Sequence, residues 1–226
     1  MPHLAIFGGT GPSGQCVIEE ALSRNYTLSL LVRNPSKLPS HILSNPSITI
    51  IQGPLSDRSA ITKTIHGSDA VLSTLGPSLN ISTALHGLTD SSTPISDGYT
   101  LILEIMQSEG VNRIIALGTV SNENPDDGKS FIKWIMVTAV WIFLHSAWRD
   151  VVEFGKRIQA SGEVVEWTIA RVARLTDKQG GEVHAGLVGK DGTGVFLARK
   201  DLARWFLEEL DKREWIRKLP VIYSTK

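Results

Sequence analysis

A glycine-rich stretch near the start of the chain, AIFGGTGPSG at residues 5–14, constrains the fold more than any other feature. It follows a short apolar run of strand length, HLAIF, and precedes a helical pattern that places Val17 and Ala21 on one face. Glycines at such a junction allow a tight turn and a close approach between the strand and the next helix. The stretch therefore predicts the strand–loop–helix unit that opens a βαβ fold.

The alternation of strands and helices continues along most of the chain. The apolar runs TLSLLV, ITIIQG, DAVLSTLG, NRIIALGT and EWTIARV predict further strands, and helical periodicity lies between them. Near-continuous apolar runs such as LSLLV are typical of strands that are buried on both faces. The pattern predicts an α/β fold with a doubly wound parallel sheet, a Rossmann fold, in a single domain over residues 1–226. We expect a small C-terminal portion, about residues 120–226, to contribute a lid and a substrate pocket.

The glycine-rich loop has the composition of a phosphate-binding loop. Gly8 permits the turn, Gly11 lets the backbone approach a pyrophosphate, and Gly14 lets the helix pack against the strand. We therefore predict that the loop holds a dinucleotide. The predicted contacts come from Gly8, Thr10, Gly11, Pro12, Ser13 and Gly14.

The residues after the second predicted strand distinguish between the two nicotinamide dinucleotides. NAD sites usually place a carboxylate about twenty residues past the loop, where it binds the ribose hydroxyls. This chain has LLVRNPSKL there, in which Arg33 and Asn34 offer a cation and hydrogen-bond donors to a 2′-phosphate. The alternative is a solvent-facing arginine at a strand end. The sequence favours NADP(H) as the cofactor.

Several segments resemble the atypical short-chain dehydrogenases of the NmrA-like group, which includes flavin and biliverdin reductases. These segments are GGTGPSG with its GxxGxxG spacing, LLVRNPSKL, QGPLSD, STLGP, RIIALGT, EWTIARV, HAGLVG and DLARWFLEEL. The resemblance implies a nicotinamide cofactor and backbone contacts to it from Leu75, Gly76 and Pro77; the alternative is that Gly76-Pro77 is an ordinary turn at the strand end. Two positions depart from the group. Pro54 stands where an aspartate is frequent, and Ala173 replaces the proline of an RxP motif.

The resemblance leaves the catalytic residues open, because none of the tyrosines begins the Tyr-x-x-x-Lys pair of short-chain dehydrogenases. His145 and Arg149 have the same i, i+4 offset, which predicts a proton donor and a cation for ribose or a substrate anion. The alternative is a histidine at a helix start and a surface arginine paired with Glu153. Thr119 and Ser121 follow the fifth strand, where they are candidates either to hold a substrate carbonyl or to form a turn.

The most apolar run, WIMVTAVWIFL at residues 134–144, opens a helical stretch that we expect to extend to about Gly162. The run is apolar nearly all round, so its own fold, a second copy of the chain or an apolar ligand must cover it. We interpret it as a lid or a homodimer surface. It falls short of the ~20 residues that a membrane span needs, so no membrane partner is predicted. Trp141 and Trp148 are candidate walls of a substrate pocket or, alternatively, core residues.

Composition narrows the class of function. Lysine plus arginine and aspartate plus glutamate both count 23, so no basic excess indicates a nucleic-acid partner. Cys16 is the only cysteine, which favours a cytoplasmic protein, and no metal-ligand spacing is present. We predict an NADP(H)-dependent reductase of a small, partly apolar carbonyl, enone, quinone or flavin-type substrate. The alternatives are a dinucleotide-binding redox sensor or regulator without turnover, and a non-redox isomerase or cyclase.

Overall fold

Strands and helices alternate along the chain. The computed structural model describes residues 2–77, 93–190 and 194–225. Within these ranges the strands are β1 (His3–Phe7), β2 (Thr27–Val32), β3 (Ile48–Gln52), β4 (Ala70–Ser73), β5 (Arg113–Thr119), β6 (Glu166–Val172), β7 (Arg174–Thr176), β8 (Glu182–Gly186), β9 (Phe196–Ala198) and β10 (Val221–Thr225). The helices are α1 (Pro12–Ser23), α2 (Ser40–Leu43), α3 (Arg58–Ile65), α4 (Pro94–Glu109), α5 (Phe131–Phe143), α6 (His145–Gln159) and α7 (Arg199–Lys212).

One large sheet organises the molecule. Its strand order is β3-β2-β1-β4-β5-β6-β10-β8, and β7 and β9 form a small separate sheet. Neighbouring strands of the large sheet are parallel except β8, which runs antiparallel to β10. The strand order reverses between β1 and β4, so the carboxyl ends of these two strands open the crevice where this architecture binds ligands. The predicted fold class is confirmed.

Apolar side chains fill both faces of the large sheet, and alternate residues of each strand point to opposite faces. On one face, α1 and α7 pack over Ile6 and Leu30. On the other face, α3, α4 and α6 pack over Phe7 and Val71. Each large apolar side chain buried in this way contributes about 1.5–3 kcal/mol relative to an exposed one. Burial on both faces explains why the strand sequences read as continuous apolar runs.

A buried ion pair joins β5 to α7. Arg113 Nη2 donates to Glu209 Oε1 at 3.1 Å, and neither side chain is more than 5% exposed. Arg113 Nη1 also donates to the carbonyl of Glu166 and to Thr168 Oγ1, both at 2.8 Å. Burial lowers the pKa of the Arg113 guanidinium to about 10, although the Glu209 carboxylate opposes that shift. The guanidinium therefore stays charged at neutral pH and depends on its buried partner.

A second buried ion pair ties the segment after β5 to β6. Arg171 has no exposed surface and donates to both carboxylate oxygens of Asp127, at 2.6 and 2.7 Å. The same carboxylate accepts from Lys133 Nζ at 2.7 Å and from the backbone N–H of Val188 at 3.1 Å. Burial alone raises the pKa of the Asp127 carboxyl, but the hydrogen bonds from Arg171 and Lys133 outweigh it and hold the pKa below its usual value. The Asp127 carboxylate thus links its own segment to β6, to α5 and to the backbone at Val188.

The long helical stretch that the sequence predicts after β5 is interrupted, and this corrects the prediction. Leu144 has φ of −138° and ψ of +46°, which ends α5 and lets α6 start in a new direction. Among the described residues no single helix is long and apolar enough to cross a bilayer. Residues 133–142 and 145–159 reach that length and composition only together, and the chain bends by 119° between them.

Candidate functional site

The glycine-rich loop connects the carboxyl end of β1 to α1. Gly8 has φ of +86°, a conformation that favours glycine, and its carbonyl accepts from the Gly11 N–H at 3.1 Å. A Cβ on Gly14 would lie 2.7 Å from the Cα of Gly9 and nearer still to the Gly8 carbonyl oxygen. A side chain at position 14 would therefore push the helix away from the loop. The tight turn at Gly8 and the close packing at Gly14 have the geometry expected from their spacing.

The first turn of α1 presents backbone donors at this loop. Gly11 is the N-cap residue and Pro12 begins the helix, and the N-cap offers no side-chain hydrogen bond. The N–H groups of the first helical turn, including those of Ser13 and Gly14, have no partner within the helix itself. Such donors, with the positive end of the helix dipole, suit a phosphate group.

A cleft of about 620 Å³ runs along the carboxyl ends of β1, β2 and β4. We call it the cofactor cleft. The predicted cofactor-binding residues that line it are Gly8, Thr10, Arg33, Leu75 and Gly76. The loop lines the cleft at the end of β1, Arg33 lines it at the end of β2, and Leu75 and Gly76 line it at the end of β4. Residues from the N-terminal parts of α4 and α6 close the opposite side.

Arg33 and Asn34 have different surroundings although they are adjacent in the sequence. Arg33 is exposed, follows β2 directly and lines the cofactor cleft. Asn34 instead caps a short 3-10 turn, because its Oδ1 accepts from the Ser36 N–H at 3.1 Å and from Ser36 Oγ at 2.8 Å. The structure thus gives the Asn34 side chain a local role in the turn and leaves Arg33 as the cation that faces the cleft.

Asp150 joins α6 to the N-terminus of α4 beside the cofactor cleft, a role that sequence reasoning missed. Its carboxylate, 5% exposed, accepts from the Ile95 N–H at 3.1 Å and from the Ser96 N–H at 2.7 Å. Burial raises the pKa of the Asp150 carboxyl, and these two N–H groups oppose the shift. Because Pro94, Ile95 and Asp150 all line the cleft, this contact fixes the position of its wall.

His145 and Arg149 are not among the described residues that line the cofactor cleft, and the predicted catalytic pair stays a prediction. On α6 the cleft-lining residues are Ser146, Ala147 and Asp150. One residue along a helix is a rotation of about 100°, so the i, i+4 positions that face the cleft belong to Ser146 and Asp150. Glu153, the alternative partner of Arg149, pairs with Lys156 at 2.8 Å.

His145 lies between two indole rings instead. Its ring centroid is 5.6 Å from that of Trp148, in a stacked arrangement, and 5.8 Å from that of Trp141, edge to face. Trp141 is 48% exposed and lines neither the cofactor cleft nor the second cavity described next, as far as the described residues show. The prediction that Trp141 is a pocket wall stays a prediction, whereas Trp148 lines that second cavity.

A second cavity of about 610 Å³ lies between α5, α6 and the segment that follows β5. Ser121, which is 5% exposed, lines this cavity and not the cofactor cleft. Thr119 Oγ1 accepts from the Ser121 N–H at 3.1 Å, the turn-forming contact that the sequence left open as an alternative. Both residues lie at the carboxyl end of β5 as expected, and neither is among the described residues that line the cofactor cleft.

The strand order, the glycine-rich loop and the cleft at the reversal point define a Rossmann-fold protein of the dinucleotide-binding class. The chain belongs to a family described as NAD(P)H-binding, whose model matches residues 8–213. It is similar to the reductase pytE of Aspergillus terreus, with 24% identity over 243 aligned residues that cover 94% of this chain and 92% of the relative.

Solved structures share the fold. A short-chain dehydrogenase/reductase of Veillonella parvula in complex with NADP superposes with a TM-score of 0.76 at 13% identity, covering 99% of this chain and 94% of that one. ChuY, an anaerobillin reductase of Escherichia coli, gives a TM-score of 0.74 at 16% identity, covering 100% of this chain and 98% of that one. These structures show the shared fold, and the family match agrees with the resemblance to atypical short-chain dehydrogenases. The NmrA-like subgroup stays a prediction.

Proposed function

We propose that the protein is an NADP(H)-dependent reductase that transfers hydride to a small, partly apolar carbonyl, enone, quinone or flavin-type substrate. The observation that carries the proposal is the cofactor cleft, lined by the glycine-rich loop at one strand end and by Arg33 at the next. Membership of the NAD(P)H-binding family supports a nicotinamide dinucleotide as cofactor. The similarity to a reductase supports redox turnover.

Arg33 supports NADP(H) over NAD(H). It lines the cleft directly after β2, where an NAD-binding protein of this architecture usually carries a carboxylate. Residues 33–37 contain no acidic side chain that would repel a 2′-phosphate. A guanidinium at this place offers the phosphate a charge-assisted hydrogen bond.

The chain's own residues would bind and orient the reactants. The loop and the first turn of α1 would hold the pyrophosphate, and the backbone at Leu75 and Gly76 would hold the nicotinamide ribose. Asp150 holds the wall of the cleft, and Ser146, one helical turn earlier on the same face, would supply a hydroxyl to a substrate carbonyl. The bound cofactor supplies the hydride.

One observation favours a second candidate, a dinucleotide-binding regulator without turnover. No tyrosine, lysine or histidine lines the cofactor cleft in the part of the chain that the structure describes. Those are the side chains that most readily supply a proton or hold the ribose in a reductase. A regulator needs only the loop, Arg33 and a cleft that responds to the bound dinucleotide.

Titration with NADPH and NADH, followed by nucleotide fluorescence, tests the proposal. We expect NADPH to bind roughly tenfold more tightly than NADH, the effect of one charge-assisted contact to an exposed phosphate. Arg33→Glu should abolish that preference. Lys63→Glu makes the same change of charge on the exposed side of α3, outside the residues that line the cleft, and should leave it intact.

The outcomes separate the candidates. Equal affinities for both nucleotides, unchanged in Arg33→Glu, would refute the choice of NADP(H). No binding of either nucleotide would refute the reductase and the regulator together. Tight binding without oxidation of NADPH by a panel of carbonyls, quinones and flavins would favour the regulator.

A further inference from the structure

The two cavities lie on opposite sides of α6. The cofactor cleft is lined by Ser146, Ala147 and Asp150, whereas the second cavity is lined by Trp148, Val152, Lys156 and Gln159. The second set repeats at the i, i+4 and i, i+3 spacings of one helix face, so it follows the length of the helix. A molecule in the second cavity is therefore separated from the cleft by the body of α6.

The walls of the second cavity suit a flat aromatic molecule. Trp134 and Val137 of α5 line the space together with Trp148 and Val152 of α6, and Ser121 also lines it. The volume of about 610 Å³ lies within the range of small-molecule sites. Trp134 is 62% exposed, so the cavity opens to solvent beside it. Indole rings on both walls favour a planar ligand that stacks between them.

Trp148 contributes its ring, and not its N–H group, to the second cavity. The indole Nε1 is buried and has no hydrogen-bond partner among the described residues, so a ligand in a cavity that opens to solvent does not reach it. The stacked ring of His145 restrains the orientation of this indole. The buried Ser121 lines the same cavity.

The charges around the second cavity do not select for a charged ligand. Lys133 pairs with Asp127 at 2.7 Å, and Lys156 pairs with Glu153 at 2.8 Å. Both cations at the rim therefore already have an acidic partner. A ligand carboxylate would have to compete with these pairs, and it would also lie near the acidic Glu123 that lines the cavity. A neutral ligand meets no such competition.

We propose that the second cavity binds a neutral, planar aromatic molecule, independently of the dinucleotide. The indole rings of Trp134 and Trp148 stack on the ligand. Because α6 separates the cavity from the cofactor cleft, this ligand is not the hydride acceptor of the same complex. The proposal does not depend on the proposed reductase activity.

Coumarin, a neutral planar lactone, is the probe, and isothermal titration calorimetry measures its affinity for the full chain. We expect saturable binding whose affinity is the same without and with saturating NADP⁺. Trp148→Phe keeps an aromatic ring but reduces the surface that stacks on the ligand, and should weaken binding roughly fivefold. Trp134→Ala changes an exposed residue and should weaken it by at least as much. Trp141→Phe, on the same helix but outside the cavity, is the matched control and should have no effect.

Each contrary result overturns the proposal. If coumarin does not bind, or if NADP⁺ displaces it, the second cavity is not an independent site. If Trp141→Phe weakens binding as much as Trp134→Ala and Trp148→Phe do, the probe only coats the apolar surface of α5. If coumarin-3-carboxylate binds as tightly as coumarin, the preference for a neutral ligand is wrong.

Discussion

Replacing Asp127 with alanine should lower the free energy of unfolding by about 3–5 kcal/mol, the range for removing one partner of a buried ion pair. The carboxylate holds both Nη atoms of Arg171, at 2.6 and 2.7 Å, and Arg171 has no exposed surface. Its charge would stay buried without its partner in the variant. Lys133 and the Val188 N–H lose the same acceptor. In a chain of this length the loss corresponds to roughly 6–20 °C in Tm.

Urea denaturation followed by circular dichroism measures this effect against a matched control. Asp126→Ala removes an exposed carboxylate one residue earlier and should change the free energy of unfolding by less than about 0.5 kcal/mol. The double variant Asp127→Ala with Arg171→Met should recover part of the loss, because no buried charge is then left unpaired. If Asp127→Ala is as stable as Asp126→Ala, the buried pair does not stabilise the fold and our reasoning is wrong.

The pKa of Asp127 predicts how the stability difference between wild type and Asp127→Ala depends on pH. The pKa of Asp127 is lower in the folded protein than its ordinary value, so the ionised form favours folding. Its contribution is complete above the ordinary aspartate pKa of about 3.9 and is lost as the pH falls through the lower folded value. The difference in stability between wild type and Asp127→Ala should therefore be constant from neutral pH to about pH 5 and shrink in stronger acid.

Two further substitutions test the cofactor cleft. Gly14→Ala places a methyl group against the Gly8 carbonyl oxygen, so we expect a loss of about 1–3 kcal/mol in stability and weaker NADPH binding. In Gly76→Ala the new Cβ has no neighbour within 4 Å among the residues that the structure describes, so the Tm should not change. Asp150→Ala leaves the Ile95 and Ser96 N–H groups without their acceptor, which should cost about 1–3 kcal/mol and weaken NADPH binding because the wall of the cleft moves. Thermal denaturation and NADPH titration of each variant check both expectations, and an unchanged NADPH affinity in Asp150→Ala would contradict the role given to that wall.

Sequence patterns predicted the central part of the fold because buried parallel strands leave a strong signal. Strands β1 to β6 were all recognised from continuous apolar runs that end at glycine, proline or polar residues. The three-residue strand Arg174–Thr176 was missed because it is too short to show a period. The strand Val221–Thr225 was also missed. It pairs mainly with β8, which is distant in the sequence, so no local turn indicates the pairing. The break at Leu144 carries no proline or glycine that would have marked it.

The parts of the candidate site that depend only on backbone conformation were predictable from the sequence. The spacing of Gly8 and Gly14 indicated a turn and a close helix approach, and both are present. The α6 residues were harder to predict, because a periodic pattern gives the spacing of a helix face but not its rotation relative to a ligand. The offset that suggested His145 applies equally to Ser146, and only packing shows which of the two faces the cleft. Asp150 has partners more than 50 residues away in the sequence, which no local motif reveals.

The buried pair of Arg113 and Glu209 restricts the routes by which this chain can diverge. A single substitution at either position leaves a charge without its partner in the interior, so the intermediate sequence is less fit than both its ancestor and its descendant. The two positions, 96 residues apart, are therefore expected to change together or not at all. An exposed pair such as Lys212 and Glu208 imposes no such linkage, and each of its members can drift alone.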